Sequence, residues 1–132
     1  MTRFVIDAPT LLHLVTERIQ VSASHQLVAP NLLRSQALAL LFDDVRGGRL
    51  TDAEAMERHD ALTQLKIRLL GDRVSRRMAW QIARELGLES TLDAEYLAVT
   101  RLQADAYVTV DPAARARAAG VVPLAAVGRL AV

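Results

Sequence analysis

The chain predicts an α/β domain, and three observations carry that prediction. Phe4-Val5-Ile6 is a short apolar run of strand-forming residues that ends at Asp7, just before a helix opened by Pro9. Leu27-Val28-Ala29 is a second such run, followed at once by Pro30 and a helical pattern. Tyr107-Val108-Thr109-Val110 is a third, entered from a helix and closed by Asp111. Strands separated by helices in this way build a sheet with helices packed against it. At 132 residues the chain amounts to a single domain, 1–132, able to bury one core without staples.

Composition narrows the function classes. Hydrophobic residues make up 52% and charged residues 23%, a balance that argues for a folded domain over disorder. With no cysteine there is neither a disulfide framework nor a thiolate metal site, so any metal must be held by oxygen or imidazole. Residues 1–20 lack a signal-peptide pattern and no apolar run approaches a membrane span, which predicts a cytoplasmic protein with no membrane partner. A net charge of +1 announces no nucleic-acid partner, so such a reading depends on where the basic residues lie.

In chain order, the helix after Asp7 buries Leu11, Leu12, Leu14 and Val15 and closes near Glu17 and Arg18. Asn31 is the expected cap of the second helix, which carries Leu33, Ala37, Leu40 and Leu41 and stops at Gly47-Gly48; Gln36 in it is expected to face solvent. Asp43 and Asp44 follow Gln36 by seven and eight residues, too far along the axis to share a site with it. Thr51-Asp52-Ala53-Glu54 is a capping box, opening a helix expected to turn Ala55, Leu62, Leu65 and Leu69 inward and to end at Gly71. Ser75 is the expected cap of the next helix, with Met78, Ala79, Ile82, Ala83 and Leu86 inside and Gly87 just past its end. Asp93 opens the following helix, apolar at Ala94, Leu97, Ala98 and Leu102. After the strand to Val110 come a short helix from Pro112 to Ala119 and a last strand, Val121 to Leu124, placed at an edge by Pro123. Trp80 and Tyr96 are expected in the core, and His13, His25 and His59 show no metal-ligand spacing.

The chemistry-bearing residues are Asp7, Asp93 and Asp111. Each stands at a strand-to-helix or helix-start position, and carboxylates so placed can converge in the crevice where open α/β sheets bind ligands. That convergence would suit a hard divalent cation. Each also has a plainer reading: Asp7 and Asp93 as helix caps, Asp111 as a turn residue before Pro112. The interval from Lys66 to Arg84 holds Lys66, Arg68, Arg73, Arg76, Arg77 and Arg84 against only Asp72. Such a local excess of positive charge is either a solvated helix face or a surface for phosphates.

The order of these pieces resembles the PIN-domain ribonucleases, and more narrowly the VapC-like toxins of bacterial toxin–antitoxin pairs. The resemblance covers nearly the whole chain and rests on Phe4-Val5-Ile6-Asp7, Ala29-Pro30, Ala79-Trp80-Gln81-Ile82-Ala83, Asp93-Ala94-Glu95-Tyr96-Leu97-Ala98 and Thr109-Val110-Asp111. It implies a three-layer α/β/α sandwich with a small parallel sheet, an acidic cluster binding Mg²⁺ or Mn²⁺, and hydrolysis of RNA phosphodiesters. It also implies a homodimer and a small antitoxin protein as partner. Matched residue by residue, Asp7, Asp93 and Asp111 take catalytic, metal-holding positions, with Thr109 as the polar residue beside the last of them. Thr10 stands in for a hydroxyl residue displaced by Pro9, and Arg73, Arg76 and Arg77 would hold RNA phosphates.

The chain departs from that pattern at one acidic position, where Gln36 follows Pro30 in place of glutamate. Glutamine keeps a carbonyl oxygen but loses a negative charge. Two readings follow: a metal-dependent ribonuclease of weakened activity, or a silent PIN-like module that binds RNA or a partner without cutting. A phosphoryl-transfer or receiver domain is disfavoured, because Asp7-Ala8-Pro9-Thr10 lacks a second aspartate and no lysine follows a late strand.

Overall fold

The computed structural model describes residues 1–132. Five strands, β1 (Thr2–Ile6), β2 (His25–Pro30), β3 (Ile67–Leu70), β4 (Ala106–Val108) and β5 (Leu124–Ala125), form one sheet in the order β3-β2-β1-β4-β5, every pairing parallel. Parallel neighbours require crossovers, and helices supply them. These are α1 (Ala8–Thr16), α2 (Leu33–Arg46), α3 (Asp52–Gln64), α4 (Arg73–Leu86), α5 (Thr91–Gln103) and α6 (Pro112–Ala118). Helices α1, α2 and α3 pack on one another, while α4 pairs closely with α5, which lies against β1, β2 and β4. The result is the expected three-layer α/β/α sandwich with a small parallel sheet. No helix is long and apolar enough to cross a membrane.

Burial on both faces explains why β1 reads as an unbroken apolar run: Phe4, Val5 and Ile6 are all buried, as are Leu27, Val28 and Ala29 of β2. The core extends through Leu11, Leu14, Leu33, Leu41, Leu62 and Ile82 into the helical layers. Helix α5 is buried almost all round, from Ala94 through Thr100 except Glu95, because the sheet covers one side and α4 another. Leu102, expected on that apolar face, lies beyond the cover and is 36% exposed.

The strand β3 corrects the expected helix to Gly71. Helix α3 opens with the Thr51–Glu54 capping box but ends at Gln64, and Leu65 is already extended. Leu65 and Leu69 fit a helical spacing, yet Ile67 and Leu69 also alternate with Lys66 and Arg68, and pairing with β2 selects the strand. Gly71 serves β3's exit instead: a side chain there would collide with the Asn31 amide, which lies over it. Asn31 is not the cap of α2, which begins at Leu33 with no side-chain cap. Ser75 is likewise not the cap of α4. Asp72 accepts its N–H at 2.8 Å, and the Ser75 hydroxyl accepts the Asp72 N–H at 3.1 Å, a reciprocal box. Those bonds from Ser75 hold the Asp72 carboxyl below its ordinary pKa. Gly87 ends α4 in the left-handed conformation at φ 64°, as its position predicts. The last strand is an edge strand but starts only after Pro123, whose carbonyl accepts the Tyr107 N–H at 2.9 Å; Val121 and Val122 turn.

Candidate functional site

From β1 the chain steps outward to β2 on one side and later enters β4 on the other, so the strand order reverses between β1 and β4. Carboxyl ends of strands at such a reversal are where open α/β sheets take ligands. A cleft of about 290 Å³ opens there, lined among others by Asp7, Gln36, Asp93, Tyr96, Tyr107, Asp111 and Arg117. Three elements separated by the whole chain thus deliver the predicted aspartates to one place: Asp7 as N-cap of α1, Asp93 in the first turn of α5, and Asp111 as N-cap of α6. The capping and clustering readings are compatible at Asp7 and Asp111. Asp93 caps nothing, because Ser90 is the cap of α5.

Asp7 is only 5% exposed and lies inside a net of donors. Its Oδ1 accepts the Thr10 N–H at 3.1 Å and the Thr10 hydroxyl at 2.5 Å; its Oδ2 accepts the Tyr107 hydroxyl at 2.8 Å and the Thr109 hydroxyl at 2.6 Å. A carboxylate offers about four lone-pair positions, and all are taken. Each threonine also works as an acceptor: Thr10 Oγ1 takes the Val110 N–H and Thr109 Oγ1 the Asp111 N–H, both at 3.1 Å. A hydroxyl alone can do both, so threonine at 10 and 109 ties the end of β1 to the β4–α6 turn and sets Asp111 beside Asp7.

Gln36, expected to face solvent, turns into the cleft, where its Oε1 accepts the Tyr96 hydroxyl at 2.5 Å. Tyr96 in turn stacks on Tyr107, ring centroids 6.3 Å apart and 22° from parallel. Tyr96 is in the core as expected, yet it and Tyr107 also form the cleft's inner wall. Neither that wall nor Arg117 was foreseen from the sequence. Arg117 reaches Asp93, Nη2 to Oδ1 3.6 Å, a long pairing with both side chains partly open to solvent. In the Ala/Arg run after Pro112 nothing local separates Arg117 from the exposed Arg115. Arg73, Arg76 and Arg77 do not line the cleft; they stand exposed on α4.

Burial raises the pKa of both tyrosines, the chain's only two, and the Asp7 charge beside them adds to it. The sign follows from linkage. A phenol whose folded pKa lies above its unfolded value of about 10 contributes stability that is complete below pH ~10 and is lost as pH rises beyond it. Phenolate absorbance is therefore expected to stay flat past pH ~10 and to appear together with alkaline unfolding. A normal phenol titration in the intact fold would contradict this network.

The donor set is all oxygen, which suits a hard dication, but as the side chains lie no group of three or more His, Asp or Glu is placed to hold one ion. An all-protein cage is thus not formed. The set fits the other habit of Mg²⁺, few carboxylates and several waters, with Asp93 and Asp111 as the acids whose oxygens remain reachable.

No family model matches this chain, and no curated protein matches it. Among solved structures, PAE2754 from Pyrobaculum aerophilum aligns over 98% of this chain and 93% of its own length, with a TM-score of 0.71 and 22% sequence identity. At that identity the likeness establishes a shared fold, an α/β sandwich around a parallel sheet.

Proposed function

We propose that the cleft is the active site of a divalent-metal-dependent endoribonuclease, of the kind found as the toxin of a toxin–antitoxin pair. The observation that carries the reading is the convergence of Asp7, Asp93, Asp111 and Gln36 in one cleft at the strand-order reversal. Mg²⁺ or Mn²⁺ would be held by Asp93 and Asp111, with Asp7 adding its charge, or an oxygen once a neighbouring hydroxyl has turned away. When bound, the cation supplies Lewis acidity towards a phosphoryl oxygen of RNA. The chain's own residues do the positioning. Thr10, Tyr107 and Thr109 fix the Asp7 carboxylate, Tyr96 fixes Gln36, and Arg117 places a positive charge at the cleft where an RNA phosphate would sit. The resemblance to VapC-like toxins further supports a homodimer, a small antitoxin and a cytoplasmic setting. A groove of about 400 Å³ lined by exposed Leu38, Phe42 and Met56 offers apolar surface for a protein partner. A light-scattering mass of one chain at all concentrations would count against the dimer.

A silent module is the second reading, favoured by Gln36 in place of glutamate, by the filled lone pairs of Asp7 and by the Arg117–Asp93 pairing. Gln36→Glu separates the two. It adds a fourth carboxylate and keeps an acceptor for Tyr96, so cation affinity is expected to rise about tenfold, following the dependence of divalent affinity on ligand charge. Mn²⁺ is expected to support faster RNA cleavage than Mg²⁺ in the natural chain. Calorimetric titration with both ions and a cleavage assay check this. Unchanged affinity would remove Gln36 from the site, and cutting by Gln36→Glu alone would establish the silent module.

A further inference from the structure

Trp80, the chain's only tryptophan, contradicts its expected place in the core: it is 63% exposed on α4. Exposed large apolar side chains ordinarily need no explanation when scattered among neutral neighbours. This one is set among cations. Arg76 and Arg77 precede it by four and three residues, Arg84 follows by four and Arg73 precedes by seven, all exposed and all at spacings that share one side of a helix. None of these arginines is engaged in an ion pair, since the structure's ion pairs are Arg49–Asp44 and Arg117–Asp93. The other side of α4, with Ala79, Ile82 and Ala83, is buried, so this stripe is the helix's free face.

We infer that Trp80 and the flanking arginines of α4 form a platform for single-stranded RNA, the indole stacking on a base and the guanidinium groups holding phosphates on either side. Charge complementarity selects a polyanion, and a flat aromatic face between cations is the combination that binds single strands with little regard to sequence. Duplex bases already stack on one another and leave no face for an indole. The placement is useful to the cleft. Helices α4 and α5 pack against each other and are joined by only the four residues Gly87–Ser90, so Arg84 in the last turn of α4 and Asp93 in the first turn of α5 both stand at the joined ends. A strand held on α4 is thereby led towards the acidic cleft. The inference rests on the ribonuclease reading for its choice of RNA as ligand and extends it by naming the strand state and the anchoring residue.

The test uses the full chain in EDTA, so that binding is read without cleavage. A short oligouridylate is expected to quench Trp80 fluorescence in a saturable, salt-sensitive manner, whereas an RNA duplex leaves the emission largely unchanged. Trp80→Ala is expected to weaken binding of a labelled oligouridylate by about tenfold, the size typical of losing one stacked base, and Trp80→Phe to restore most of it. Absence of quenching together with equal affinity of Trp80→Ala would overturn the platform. So would an emission shift driven by protein concentration alone, with Trp80→Ala lowering the light-scattering mass, because the face would then be a contact between copies. Stacking on Trp80 without any cleavage in Mg²⁺ or Mn²⁺ would support this inference while defeating the ribonuclease. Cleavage with Trp80→Ala unaltered in affinity would do the reverse.

Discussion

Asp93→Asn is expected to lower metal-dependent RNA cleavage on the order of 10³-fold while leaving the fold intact. The residue is half exposed, caps no helix and accepts no hydrogen bond within the chain beyond its long approach to Arg117, so an isosteric amide disturbs little packing. What it removes is the charge of one of the two carboxylates in the cleft whose oxygens remain reachable. Electrostatic stabilisation of the transferring phosphoryl group by a dication is worth several kcal/mol, and each ~1.4 kcal/mol is tenfold in rate. Cleavage of a labelled RNA in Mn²⁺ measures the effect, with thermal melts as a check on folding. Equal cutting by the natural chain and Asp93→Asn would mean that the activity belongs to a contaminant.

Asp7→Ala is expected to cost stability as well as activity, about 3 kcal/mol by the penalty of stranding buried donors. The Thr10, Tyr107 and Thr109 hydroxyls and the Thr10 N–H would lose their common buried acceptor, and with it the link between the end of β1 and the β4–α6 turn. Asp7→Asn keeps one carbonyl oxygen but points an amide at donors, so its loss is expected to be smaller, with cleavage still abolished. Urea denaturation of the three proteins orders them. An Asp7→Ala chain as stable as the natural one would show that the hydroxyl net contributes nothing to folding and that threonine and tyrosine serve Asp7 alone.

How far the chain could be read locally depends on whether a signal is contained in a few neighbouring residues. Strands β1, β2 and β4 announce themselves because a strand buried on both faces must be apolar throughout, and Asp7 and Pro30 mark the ends of the first two; β4 stops at Val108, short of the Val110 that the apolar run suggests. The capping box at Thr51, the left-handed Gly87 and the three strand-end and helix-start aspartates are likewise legible, since caps and turns are decided by two to four residues. The strand β3 was not, because Ile67 to Leu70 fits two periods and only the free edge of β2 chooses between them. Nor could the local pattern say that Gln36 turns inward to Tyr96, that Trp80 turns outward among arginines, or that Arg117 and not Arg115 reaches Asp93. The amino-acid sequence by itself determined the α/β class, most of its elements and the identity of the acids. The tertiary structure alone decided their company, because a side chain's direction follows from which faces the packed layers cover, and those faces are set by residues up to 102 positions apart, as between Asp7 and Thr109.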